Sequence, residues 1–413
     1  MAGKSFHHGF YSSGSGEGDL KILLLTQVLP YPLDSGPKIK TYHVLKYLSQ
    51  IHEVVLVSFT RGDQSRHIQE LKKICREVYT VPIERNIVAD LIALGKSLLT
   101  RQPWLILRDR KKEMIELLGE VTSSYPFDAV HADQLNMAQY AQRVAAGIKV
   151  LDEHNALWLL YKRLSEKMPF GLQRWLFSRE WKLLRNYEGE ICREFSHVLA
   201  VSDEDRLALS EVIQSEKHIE VIPIAIDTSV ITPVERAKDA NHILHIGTMF
   251  WPPNIEGIIW FIREIYPMIV ARRPDVIFDV VGARPPKEII DLSREYPGIH
   301  VTGYVEDPEP YFRTTGAMVV PLRAGGGMRV KILNAMAQGL PLVSTTIGCE
   351  GIKVRDREHL LIADSPADFA NAVLELLENP ELASRLAENA QRLARDVYDY
   401  RWASKPLEKI YPA

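Results

Sequence analysis

Residues 241–283 read NHILHIGTMFWPPNIEGIIWFIREIYPMIVARRPDVIFDVVGA. A short apolar run closes on Gly247, a stiff turn with two prolines follows, and a long apolar-periodic stretch leads to a second short run, VIFDVVGA. Two buried strands separated by a helix must pair in parallel, because only a crossover connection carries the chain back to the same sheet edge. Both runs are continuously apolar rather than alternating, which predicts a sheet covered on both faces. Downstream the rhythm continues with IHVTGYV, AMVVPL, the helix RVKILNAMAQG, the strand PLVST and a long helical tail over 365–399.

Upstream the pattern is the same. KILLLTQ, EVVLVSF, EVYTVPI, FDAVHAD, IKVLDEHN, SHVLAVS and IEVIPIAI read as strands, and KIKTYHVLKYLSQI reads as a helix. The segment DTSVITPVERAKDAN (227–241) has the polar, Pro-bearing composition of a linker. The expected fold class is therefore α/β, with two Rossmann-like doubly wound domains facing a central cleft. The expected domains are 19–226 and 227–395. Residues 1–18, polar and Gly/Ser-rich, read as a disordered leader or an appended tail.

Composition excludes several classes. At 413 residues the chain exceeds one ordinary core. A net charge of −3 offers no global field for nucleic acid. The three cysteines lack metal-ligand spacing and fit a reducing cytoplasm. No apolar run reaches the roughly 18 residues of a membrane span. Residues 156–193 carry eight Lys/Arg, four Asp/Glu and three of the seven tryptophans. They read either as a helical hairpin packed into its domain or as a peripheral contact with an anionic membrane surface.

Ligands of doubly wound sheets sit beyond the carboxyl ends of the strands, so the loops leaving them hold the candidate residues. After the first strand, Ser35 and Gly36 precede a helix whose positive end favours an anion. Gly247 and Thr248 leave the first strand of the second half, and Asn254 is placed to cap the helix beginning at Ile255. Gly303, Tyr304 and Val305 end another strand and offer a shelf for a nucleobase. The most specific element is AGGGMRVK (324–331). Consecutive glycines can turn amides inward as a nest, the helix adds its positive end, and Arg329 and Lys331 add full charges. Diphosphate is the natural guest of such a loop. In the first half, His131, Asp133, Glu153 and His154 follow strands and are expected to face the cleft, suited to sugar hydroxyls or to moving a proton. Ordinary polar strand ends are the alternative for all four, and no tight metal spacing is present.

These motifs carry a resemblance. HIGTMFWPPNIEGIIWF, DVVGARPP, VTGYVEDPEPYF and VVPLRAGGGMRVKILNAMAQGLPLVST are similar to the retaining nucleotide-sugar glycosyltransferases of family four, which have the GT-B fold. They resemble most the bacterial subgroup with a PLxxGGGxRxKxLEAMAxGxPxVST signature, found near exopolysaccharide and protein-sorting loci. PYPLDSGPKIKTYHVLKYLS, VLDEHNALWLLYKR and VIPIAID fall where that family has its first-domain motifs. The resemblance implies a UDP-, GDP- or ADP-sugar donor on the second domain and a glycan or lipid-linked acceptor on the first. It implies a final segment, 396–413, crossing back to the first domain. Gly303–Val305 would lie near the base, Gly326, Gly327, Arg329 and Lys331 near the diphosphate and sugar, Asn334 near the ribose, and His131 near the reacting sugar, with Leu333 also among the donor-binding residues. Asp133, Glu153 and His154 would serve the acceptor. Many relatives have glutamates where this chain has Gly326 and Asn334. The expected chemistry is a front-face, retaining transfer with no metal and no other cofactor, by a cytoplasmic protein, with 156–193 as its candidate contact on the inner membrane face. The competing expectations are a nucleotide-sugar epimerase on the same fold and a catalytically weak donor-binding protein.

Overall fold

A computed structural model describes residues 19–214, 217–237, 239–325 and 327–412. The expected leader, 1–18, and Gly326 lie outside the described residues. Two parallel sheets organise the chain. The first has seven strands in the order β3-β2-β1-β4-β5-β6-β7: β1 Lys21–Thr26, β2 Glu53–Thr60, β3 Glu77–Pro82, β4 Ala129–Asp133, β5 Ile148–Asp152, β6 His197–Ala200 and β7 Ile219–Val221. The second has six in the order β10-β9-β8-β11-β12-β13: β8 His242–Ile246, β9 Phe278–Val281, β10 Ile299–Gly303, β11 Thr315–Val320, β12 Leu342–Ser344 and β13 Leu361–Ile362.

The central strands are apolar on both faces because helices cover both. Ile22, Leu23, Leu24 and Leu25 of β1 are all fully buried, as are Ile243 and Leu244 of β8. In each sheet the strand order reverses once, between β1 and β4 and between β8 and β11. Those two switch points open the crevices in which such folds bind ligands.

IEVIPIAI is shorter as a strand than its composition suggests. Only Ile219–Val221 pairs, with β6, at the sheet edge. Pro223 has no amide to continue the ladder. The chain then turns toward the C-terminus, where Ile226 donates to Tyr398 O (2.8 Å) and accepts from Tyr400 N (2.9 Å). Beyond Tyr400 the final residues pack on the first sheet. Tyr400, Leu407, Ile410 and Tyr411 share one buried cluster with Ile22, Leu24 and Val44. Residues 156–193 fall in two helices, Leu157–Lys167 and Leu172–Glu194. Trp158 is buried, whereas Trp175 is exposed, so the segment both packs inward and presents an aromatic outward.

Candidate active site

The two switch points face each other across a cleft of about 830 Å³. Its first-domain wall is the β1 loop with Ser35 and Gly36, together with His154 and Asn155 after β5. Its second-domain wall is the β8 loop, Gly247–Asn254, and the turn after β11 leading into the helix Val330–Gln338.

That turn is shaped by glycine. Gly325 and Gly327 have φ of 113° and 79°, in the left-handed region that side chains disfavour. A Cβ on Gly325 would lie 2.9 Å from the Arg329 guanidinium and 3.3 Å from the Trp251 ring. The space is needed, because the Arg329 guanidinium sits over that ring, 5.4 Å from its centroid, and donates to Gly327 O. Arg329 is only 6% exposed, and burial lowers its pKa from the ordinary arginine value.

Lys331 is the second residue of the helix. Its Nζ donates to Asn254 Oδ1 at 3.0 Å and lies 3.4 Å from His245 Nε2. His245 is fully buried, and its Nδ1 is 3.0 Å from Val319 O, an acceptor only. Nδ1 therefore carries the proton and Nε2 offers its lone pair to Lys331. Burial, with Arg329 nearby, pushes the Lys331 ammonium down to about 7. Close approach depends on Gly247, where a Cβ would come within 2.6 Å of Nζ.

Asn254 is not the helix cap expected from sequence. The helix begins earlier, at Pro252, because Pro252 and Pro253 preset its first turn. Asn254 instead sits within it, 3% exposed, and ties Thr248 O (2.8 Å) to Lys331. Asn334 lies on the cleft face of the next helix. Leu333, its neighbour, points the other way and is fully buried in the core. Gly303, Tyr304 and Val305 are not among the residues lining the cleft. Tyr304 is 78% exposed, and Gly303 O accepts from Gly282 N at the end of β10.

The first-domain residues separate into two layers. His154 reaches the cleft, with Nε2 2.9 Å from Asp133 Oδ1 and Nδ1 3.4 Å from Gln134 Nε2. Asp133 is buried beneath it and also accepts from Thr41 Oγ1 at 2.8 Å. His131, expected to face the cleft, is fully buried within β4. It shares a face with Asp133 but sits two residues short of the strand's carboxyl end, deeper in the protein, where Nδ1 meets Tyr411 Oη at 2.8 Å and Nε2 lies 3.5 Å from Asp152. Glu153 is corrected likewise. Its carboxyl, 1% exposed, points inward, and burial beside Glu188 raises its pKa well above the usual range.

Sequence reasoning missed Lys40 and Asp152, which form a buried ion pair under the cleft floor. Burial alone would raise the Asp152 pKa, but Lys40 and His131 hold it below the usual carboxylate range. The available signal was a lysine on the buried face of an apolar helix. Asp133, Asp152 and His154 bring three potential metal-ligand atoms within 4.8 Å of one another. In this arrangement the Lys40 ammonium is the cation that Asp152 holds.

Comparison with known proteins gives this geometry a context. Residues 240–379 match the family "Glycosyl transferases group 1". A Klebsiella pneumoniae protein described as an uncharacterized 44.6 kDa protein in a cps region is 22% identical over 394 residues, covering 92% of this chain and 96% of that one. Among solved structures, sucrose-phosphate synthase of Thermosynechococcus elongatus superimposes with a TM-score of 0.67 at 17% identity, covering 95% of this chain and 98% of its own. Anabaena HepE in complex with UDP-glucose does so with a TM-score of 0.64 at 14% identity, covering 94% and 98%. The chain therefore has the GT-B fold, and residues 240–379 of its second half match the group 1 glycosyl transferase family.

Proposed function

We propose that the protein transfers a sugar from a nucleoside diphosphate sugar to a hydroxyl acceptor with retention of anomeric configuration. The observation that carries this reading is the convergence of Gly327, Arg329, Lys331 and a helix N-terminus on one cleft wall. Breaking the anomeric C–O bond sends its electron pair to the departing diphosphate. Fixed cations and amides stabilise that developing charge without reorganising, which is where most catalytic advantage lies. The acceptor oxygen then bonds to the anomeric carbon on the face the diphosphate leaves, and its proton passes to a departing phosphate oxygen. The two cations and the helix end meet the charge requirement of this step, so the proposed transfer is metal-independent.

His154 is assigned to the acceptor or the transferred sugar, held by Asp133. His131 becomes a positioning residue that acts through Asp152 and Lys40. Asn334 can bond ribose hydroxyls as donor and acceptor, in place of a glutamate's charged acceptance. The donor-bound HepE structure supports a UDP-sugar as the first donor to try. The cps-region relative supports a glycan acceptor. Thermal unfolding with UDP-, GDP- and ADP-sugars identifies the donor, since a ligand that binds only the folded state raises the midpoint. With that donor, Arg329→Ala should lower turnover by roughly 10²–10³-fold. Unchanged turnover would remove Arg329 from the proposed leaving-group site.

A further inference from the structure

We propose that the protein docks on an anionic bilayer through the helix Ile87–Thr100 and the tip of the Leu157–Glu194 hairpin. The helix is capped by Asn86, whose Oδ1 accepts from Val88 N at 2.8 Å, and closes with Arg101 at φ 58°. Only a narrow stripe holds it to the protein: Trp104 Nε1 donates to Asp90 O (3.0 Å), Ala93 is buried, and Arg179 Nη1 donates to Ser97 Oγ (3.0 Å). Around that stripe the helix is mostly apolar and uncovered. Ile87, Val88, Leu91, Ile92, Leu98 and Leu99 are all exposed, Leu99 at 87%.

The hairpin tip continues this surface. Phe170 is 94% exposed, Leu172 73% and Trp175 54%. Leu172, Trp175 and Arg179 follow one another at i, i+3 and i+7, on one face of their helix. Since Arg179 bonds Ser97, the same face leads directly to the end of the first helix.

The charges decide between occupants. Lys96, Arg101 and Lys167 are exposed beside the apolar residues, and the Arg174 guanidinium lies over the Phe170 ring at 4.9 Å. Two of the four acids of 156–193, Glu180 and Glu188, are buried, so the exposed part of the hairpin is more basic than its sequence. This local excess sits on a chain of net charge −3. A second copy meeting the patch about a two-fold axis would bring like charges together. Protruding apolar and aromatic groups ringed by cations fit the headgroup boundary of an anionic membrane.

The patch lies at the carboxyl edge of the first sheet, because its helix starts soon after β3. Arg85, just before it, pairs with Asp109 at 2.7 Å, and Asp109 also accepts from Gln27, which follows β1, at 2.7 Å. A bilayer held there is next to the first-domain wall of the cleft. Docking itself does not depend on the proposed transfer.

The test uses the full chain sedimented with phosphatidylcholine vesicles, with and without phosphatidylglycerol. The protein should sediment with the anionic vesicles and be released by salt. The double variant Leu91→Glu/Leu99→Glu, and separately Phe170→Glu, should each weaken binding by about tenfold or more with unchanged thermal unfolding. The proposal is overturned if the protein ignores both vesicle types, binds them equally, or binds as well in both variants. It is also overturned if the protein forms a dimer that the same substitutions dissociate, which would make a second copy the occupant.

Discussion

Lys331 is a lysine whose charge depends on what it touches. With its ammonium pushed down to about 7 by burial and by Arg329, much of the donor-free protein at neutral pH holds it uncharged. A nucleotide sugar has both phosphates esterified, so its diphosphate charge is fixed around neutrality. Bringing that charge to Nζ favours the ammonium and raises its pKa in the complex. The complex then binds more protons than the free protein at pH values above about 7. Donor affinity is therefore highest below about 7 and falls as pH rises toward the pKa of the complex, by at most roughly tenfold per pH unit. Calorimetric titration of the donor at pH 8, in two buffers of different ionisation enthalpy, should show proton uptake. Lys331→Arg, which stays charged, should abolish that uptake and flatten the profile. Equal heats in both buffers with the native protein would show that Lys331 does not meet the diphosphate.

At the scale of elements, the helix Pro252–Trp260 fixes the distance between the two loops that form the second-domain wall. Gly257 faces the end of β11, and a Cβ there would come within 2.5 Å of Pro321 O and 3.1 Å of its carbonyl carbon. Glycine inside a helix ordinarily costs about 1 kcal/mol relative to alanine. Here the sign should reverse, because the obstacle is backbone. Gly257→Ala should destabilise the protein by about 1–3 kcal/mol, read from urea unfolding, and should weaken donor binding as the Asn254–Lys331 contact is displaced. A gain in stability would mean that helix and strand can separate freely. Much at this scale was legible in the sequence. Continuous runs such as ILLL and VVLV announce parallel strands, and the glycines with Arg329 and Lys331 announce an anion-binding turn. Depth at the strand ends was the weak point. HAD is buried throughout, and in DEHN one residue separates cleft-facing His154 from inward Glu153. The helix Ile87–Thr100 inverts the usual pattern: the residues it buries, Ala93 and Ser97, are small, and its large apolar residues face outward, so its apolar period does not mark a core face.

At the scale of the whole molecule, the last described residues pack into the domain that holds the first described ones. Tyr411 is 1% exposed, stacks on His131 with ring centroids 6.2 Å apart, and bonds its Nδ1. Tyr47 Oη donates to Glu408 at 2.5 Å, adding a second tie across 361 residues of sequence. The last turn of the chain thus completes the first-domain core and braces the His131–Asp152–Lys40 layer under the cleft floor. Removing the ring and removing only its hydroxyl should have different results. Tyr411→Ala leaves a buried cavity and should destabilise the protein by about 3–5 kcal/mol. Tyr411→Phe keeps the stacking and should cost about 1 kcal/mol for the lost hydrogen bond. Because the donor is assigned to the second domain, the nucleotide-sugar affinity of the folded Tyr411→Phe protein should match the native one. Its turnover should fall if His131 positions the first-domain wall through Asp152. Native turnover with the expected loss of stability would confine Tyr411 and His131 to the core. A weakened donor affinity would mean that the last segment also sets the relation of the two domains.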